Sequence, residues 1–262
     1  MRRHHPGAGN KPRQRPTEGN RLLFTVPLTE HLYSAYFRKW LDLNINPYNV
    51  ITIGGIYPAD AMNEALRIAL ERRDWDAFVS LEHDHEFPVD LVERMAAYPA
   101  EADIVGIPYT TRNITEPRVM TGSWAPEPHK PYGLRYLKPS EVISMCVDEP
   151  GLYPIDFVPL GCTFIRRRVF EEWDPARLPV FQVIAKGPLD DGAGHDIRFC
   201  KLAQEQGFKI YLDAGRFAGH IASMTIGLEW YLERLKLAHY ERLVAELRER
   251  GILADIPVLG AG

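Results

Sequence analysis

At 262 residues, with 45% hydrophobic side chains, the chain is long enough to bury a full core and fits one large α/β domain, alone or with appendages. No run approaches the roughly 20 apolar residues that span a bilayer, and the opening MRRHHPGAGNKPRQRP lacks the apolar segment of a secretory signal, so the sequence reads as cytosolic with no membrane span. The formal net charge of −4 hides an asymmetry: residues 1–15 carry five Arg or Lys and no acid, which leaves the rest at −9.

Residues 1–20 therefore read as a separate basic tail. Gly/Pro-rich arms of this kind either contact nucleic-acid phosphates or serve as solubilising ends. Cys146, Cys162 and Cys200 are odd in number and form no CxxC pair, which argues against a disulfide framework and against a cysteine-rich zinc site. Each sits beside apolar neighbours and reads as a small buried hydrophobe.

The first element is the apolar run RLLFTVP (21–27), a strand ended by proline. Residues 29–42 then place Leu32, Tyr33, Tyr36 and Trp40 at helical spacing, with Thr29 as N-cap and Glu30 in the first turn. The alternation continues: strand at 49–53, helix at 60–73, strand at 76–82, helix at 88–98, strand at 103–108. Alternating strands and helices predict an α/β fold, a mostly parallel sheet with helices on both faces. Ligands of such sheets bind beyond the carboxyl ends of the strands, so the residues after Val26, Leu81 and Ile107 are candidates before any motif is invoked.

Over 110–153 the alternation fails and prolines, glycines and polar residues dominate, which reads as an irregular insertion or β-excursion of the kind that often carries binding elements. Order returns at 155–173, read as one or two strands running into a short helix, and at 195–207, a helix closed by Gly207. A strand follows at 208–213. Residues 226–262 are set apart as an amphipathic helix (229–250) and a tail, with Leu232, Leu235, Leu243 and Leu247 on the buried stripe. The main domain then spans 21–225.

Three clusters carry chemistry. LEHDHEFP (81–88) starts at the end of the most apolar strand, so Glu82, His83, Asp84, His85 and Glu86 emerge at the ligand-binding edge, where carboxylates hold divalent cations. LDDGAGHD (189–196) leads into a helix whose first turn contains Asp196, a place that stabilises an anion and is equally suited to a capping acid. RFAGHI (216–221) presents His220 between small and apolar neighbours.

Together these segments resemble GT-A nucleotide-sugar glycosyltransferases, particularly the family 2 type, in motif order over most of 21–221. LLFTVPLT (22–29) resembles the opening strand with its proline-containing nucleotide loop. DAMNEAL (60–66), with Asn63, resembles the helix before the metal motif, and Glu82-His83-Asp84, followed by Phe87-Pro88, resembles the DxD acid pair. LGCTFIRRRVF (160–170), HDIRFCKLAQEQGFKIYLD (195–213) and Gly219-His220 resemble the later motifs. The chain departs from the pattern at Glu82, the first acid of the pair, at His195, where an acid is usual, and at Met62.

The resemblance implies an inverting, metal-dependent transferase that uses Mn or Mg. It assigns Asp84, His220 and Glu82 to the metal, and Pro27, Thr29, Asn63 and His83 to the nucleotide. Asp196 is assigned as general base, with Gly161, Cys162, Asp191 and His195 on the acceptor side and Asp190 and Asp191 as further base candidates. The expected partners are a nucleotide-sugar donor, most commonly UDP-linked in the family, and an acceptor hydroxyl on a glycan or a modified nucleic-acid base. Two other readings stand beside it: a GT-A-like binding protein with reduced catalysis, and a metal-dependent phosphohydrolase built on the His-Asp pairs 83–84 and 195–196.

Overall fold

The computed structural model describes residues 20–28, 34–112, 117–127, 132–185 and 193–221, with positions 225, 226, 231, 235, 236, 239, 241 and 242. In chain order its elements are β1 (Leu22–Leu28), α1 (Ser34–Asp42), β2 (Val50–Gly54), α2 (Pro58–Glu71), β3 (Ala77–Leu81), β4 (His85–Glu86), α3 (Leu91–Ala96), β5 (Ile104–Gly106), β6 (Gly122–Trp124), β7 (Leu134–Tyr136), α4 (Pro139–Ile143), β8 (Leu152–Pro154), β9 (Cys162–Arg166), α5 (Arg167–Glu171), α6 (His195–Glu205), β10 (Ile210–Asp213), β11 (Gly219–Ile221) and β12 (Thr225–Ile226). None of the described helices is long and apolar enough to cross a membrane.

Seven strands form the central sheet in the order β2-β1-β3-β9-β5-β10-β8. The pairings of β1 with β2 and β3, and of β5 with β10, are parallel, while β9 and β8 are antiparallel to their neighbours. Five strands thus share one direction, the mostly parallel α/β sheet expected. The two reversed strands are what the sequence pattern did not disclose, because a buried strand reads the same in either direction.

Every residue of β3 is buried, as a central strand covered on both faces requires. Alternate side chains serve two cores. Phe78 points to the face covered by α2, α5 and α6, with Phe170, Phe199 and Trp75. Ala77, Val79 and Leu81 point to the face of α1 and α3, with Tyr36, Leu91 and Met95.

Helix α2 starts two residues earlier than its pattern, because Pro58 suits the first helical position where no amide hydrogen is needed. Its buried Ala59, Met62, Ala65, Leu66 and Ala69 repeat at three- and four-residue spacing. Helix α3 is shorter than 88–98. Helix α6 ends before Gly207, whose φ of +89° is the left-handed stop foreseen for glycine. The 110–153 segment contains the β6–β7 hairpin, α4 and the start of edge strand β8. Of the helix expected over 229–250, most lies outside the described residues; Tyr231 is buried and Leu235 packs on the core.

Candidate functional site

Two ladders build the site at the carboxyl edge of the sheet. Leu81, the last residue of β3, pairs with Cys162, and the Glu82 N–H donates to Gly161 O at 2.9 Å. The chain then enters β4, which pairs antiparallel with β11 so that His85 and His220 stand opposite each other. The Ile221 N–H donates to Asp84 O at 2.7 Å, fixing Asp84 beside them. Opposed residues of a ladder share a face, and the two imidazoles stack with centroids 4.5 Å apart and planes 15° apart. Tyr109 packs edge-on against His85 at 4.2 Å. Gly161 makes this possible: a Cβ there would lie 2.6 Å from Tyr109 Oη and 2.7 Å from His85 Cε1.

The polar atoms converge on one point. His85 Nδ1 lies 2.8 Å from Asp84 Oδ1, and His220 Nε2 lies 3.5 Å from Asp84 Oδ2. Among the described residues, Asp84 Oδ1 and both ring nitrogens of His85 are buried without a hydrogen-bond partner, the 2.8 Å approach not counting as one. His220 Nδ1 donates to Thr110 O at 2.7 Å, which fixes the tautomer and leaves the Nε2 lone pair facing Asp84. One ligand atom from each of Asp84, His85 and His220 falls within 4.8 Å of the others.

This set fits a divalent cation. Buried polar atoms without partners are costly to maintain, and a carboxylate with two neutral imidazoles is a ligand set that suits Mn better than Mg. Of the expected ligands, Asp84 and His220 belong to the cluster and Glu82 does not; His85 takes the third place. Arg112 reaches the same point: its Nη2 contacts Asp84 Oδ2, and its Nε donates to His220 Nε2 at 2.8 Å.

Burial keeps the histidines neutral. It lowers His85 well below the ordinary value and His220 to about 4, and it also lowers His83 and His195. Glu82 moves the other way, up to about 7, through burial and then the nearby Asp196 carboxylate, with Arg112 opposing. The Tyr109 phenol, buried and facing the same two carboxylates, is held far above its ordinary range.

Pro27, Leu28, Ile56, Pro58, Glu82, His83, Asp84, Arg112 and His195 line a cavity of about 300 Å³. His83 Nδ1 bonds Pro27 O at 3.1 Å, tying the β3 and β1 ends together. Asp196 lies half-buried in the first turn of α6, where its Oδ1 accepts from the Ile197 N–H at 2.9 Å. Thr29, Asp190 and Asp191 lie outside the described residues.

Two expected site residues are placed elsewhere. Cys162 is fully buried between β3 and β5, so its thiol belongs to the core and not to an acceptor surface. The Asn63 amide is occupied by backbone: Nδ2 donates to Phe181 O at 2.6 Å and Ala59 O at 2.9 Å, and Oδ1 accepts from the Phe181 N–H at 3.1 Å. It fastens the 181 segment to α2 and does not line the cavity. Tyr109 and Arg112 were not singled out in the sequence. The one available signal was their position just past Ile107, at a strand's carboxyl end.

No protein-family model matches the chain, and no curated protein does. Among solved structures it is similar to A197 from STIV, with a TM-score of 0.53 and 18% identity over 77% of this chain and 86% of that one. That likeness shows the fold. A structure of GalNAc-T7 with UDP, GalNAc and Mn2+ aligns at a TM-score of 0.48 and 12% identity over 79% of this chain and 44% of that one, too low to carry its site across. The seven-stranded, mostly parallel sheet with helices on both faces is consistent with a GT-A-like fold.

Proposed function

We propose that the protein is a metal-dependent glycosyltransferase that moves a sugar from a nucleotide diphosphate to an acceptor hydroxyl with inversion. The observation that carries this reading is the convergence of Asp84, His85 and His220 at the carboxyl edge of the sheet, beside a cavity lined by Glu82 and His195. Asp84, His85 and His220 would hold Mn, or Mg more weakly. When bound, the ion neutralises the charge that develops on the departing diphosphate.

The chain's own groups do the rest. Pro27, Leu28, Ile56, Pro58 and His83 form the cavity wall suited to the nucleoside. The hydrogen bond from His220 to Thr110 holds its ring nitrogen in register. Asp196 accepts the proton of the acceptor hydroxyl as that oxygen attacks the anomeric carbon. Its Oδ1 is steadied by the Ile197 amide, which leaves Oδ2 for the proton. Glu82, on the cavity wall, offers its carboxyl group to a sugar or ribose oxygen. His195, with its Nε2 buried and unpaired, offers a neutral imidazole to the acceptor. UDP-sugars are the first donors to try, with a glycan or a modified nucleic-acid base as acceptor.

The test is a donor screen with Mn and UDP-, GDP- and dTDP-sugars, recording released nucleotide diphosphate for wild type, Asp84→Ala and Asp196→Ala. Metal-dependent release from one donor, lost in both variants, is the expected result. Nucleotide binding without release would favour a GT-A-like binding protein, and release of inorganic phosphate in place of a nucleotide diphosphate would favour a phosphohydrolase.

A further inference from the structure

Arg112 lines the cavity and has no part in the chemistry above. It directly follows a pinned stretch, where Thr110 and Val119 pair and the Thr111 N–H donates to Arg118 O at 2.8 Å. Its side chain is 47% exposed, yet its head is directed inward onto Asp84 and His220, whose side chains are only 9% and 13% exposed.

The atoms it engages are the ones a metal needs. The Nδ1 of His220 is occupied by Thr110 O, so Nε2 is the ring's single remaining lone pair, and Arg112 Nε donates into it at 2.8 Å. Arg112 Nη2 is also paired with Asp84 Oδ2. A divalent ion and a guanidinium cannot both take the single His220 Nε2 lone pair, and their like charges oppose each other at Asp84.

We infer that Arg112 is a tethered internal competitor for the divalent ion: guanidinium and metal take the Asp84–His220 pair in turn. This rests on the metal reading proposed above. An ion that binds only while Arg112 is swung away has its apparent Kd raised by the reciprocal of that fraction, so a guanidinium in place nine-tenths of the time weakens the metal about tenfold. Because Arg112 is exposed, the displaced head group moves toward solvent without disturbing the core.

The experiment is a Mn2+ titration of the full chain without donor, following the paramagnetic resonance signal of free Mn2+, in wild type, Arg112→Gln, Arg118→Gln and Asp84→Asn. Arg118, exposed on the same pinned stretch, controls for the general effect of removing a positive charge. The expected result is about tenfold tighter binding in Arg112→Gln and less than about twofold in Arg118→Gln. Equal Kd values in Arg112→Gln and wild type, or equal gains in the two variants, would overturn the competition while leaving the metal site standing. If wild type and Arg112→Gln bind no more tightly than Asp84→Asn, the metal reading itself fails and takes the competition with it.

Discussion

His85 Nδ1 stands 2.8 Å from Asp84 Oδ1, and neither atom has a hydrogen-bond partner among the described residues. A carboxylate oxygen and an imidazole nitrogen held face to face without a hydrogen bond make sense as ligands to a shared cation and are otherwise a standing cost. Asp84→Asn is therefore expected to lower Mn2+ affinity by at least ~100-fold, the upper end of what losing even a supporting group costs a metal site. His85→Gln should lose ~10-fold or more on the same grounds, while Glu82→Gln, which leaves all three clustered residues in place, should stay within about threefold. Calorimetric titration of the three variants decides which side chain is the third ligand. A large loss in Glu82→Gln with none in His85→Gln would reinstate the carboxylate.

Gly161 is the pivot under that pair. Adding one methyl drives it against Tyr109 Oη and His85 Cε1 at distances no carbon tolerates. Tyr109 and His85 are both buried, with Phe87 and His220 packed behind His85, so neither ring has room to retreat. Gly161→Ala should cost about 1–3 kcal/mol, the range for overpacking a filled core, and should weaken Mn2+ binding because His85 is displaced. Urea unfolding reads the first and metal titration the second. An unchanged midpoint would show that the 161 turn yields.

Much of this arrangement was legible in the sequence, for identifiable reasons. Strands β1 and β3 announced themselves because a strand covered on both faces is apolar at nearly every position, Thr25 and Ser80 being the exceptions, and Glu82 to Asp84 followed one of them directly. The direction of β9 was not legible, since its burial pattern, buried from Cys162 to Ile165, is the same whichever way the chain runs. His85 stood within the cluster at the ligand-binding edge but was not assigned to the metal. Its partnership with His220 exists only once β4 and β11 pair across a long sequence separation, a relation no local pattern encodes. Arg112 lay in a stretch without periodicity, and its role depends on the long-range placement set where Thr110 pairs with Val119.

Acid should unfold the metal-free protein early. His83, His85, His195 and His220 all have folded values below the ordinary 6.5, His220 near 4, chiefly through burial. Between those values and 6.5 the unfolded chain binds more protons than the folded one, so stability is intact above about 6.5 and falls as pH drops toward 4. Glu82, raised to about 7, works in the opposite sense: its contribution is present at low pH and declines as pH rises through that value. Four histidines outweigh one carboxyl, so the urea midpoint should fall between pH 7 and 5, and it should fall more steeply in Glu82→Gln. A midpoint that is level over this range would mean that the rings take up protons in the folded state without penalty.

Asn63 separates a role in the fold from a role at the nucleotide. Its amide satisfies both the N–H and the C=O of Phe181, a residue only 1% exposed, and also caps Ala59 O within α2. Truncation to alanine leaves those two Phe181 backbone groups without partners. Each unsatisfied buried group costs about 1–3 kcal/mol, so Asn63→Ala should be destabilised by at least ~1 kcal/mol, with water reaching the half-buried site and offsetting part of the rest. Asn63→Asp keeps the acceptor for the Phe181 N–H but replaces the donor with a second oxygen facing Phe181 O, so it should be at least as unstable as alanine. If the side chain served the nucleotide, both variants would instead melt like wild type and lose nucleotide affinity. Thermal unfolding, paired with a nucleotide-diphosphate titration below the transition, gives opposite patterns for the two roles. The hydrogen bonds to Phe181 predict a lower Tm with unchanged nucleotide affinity.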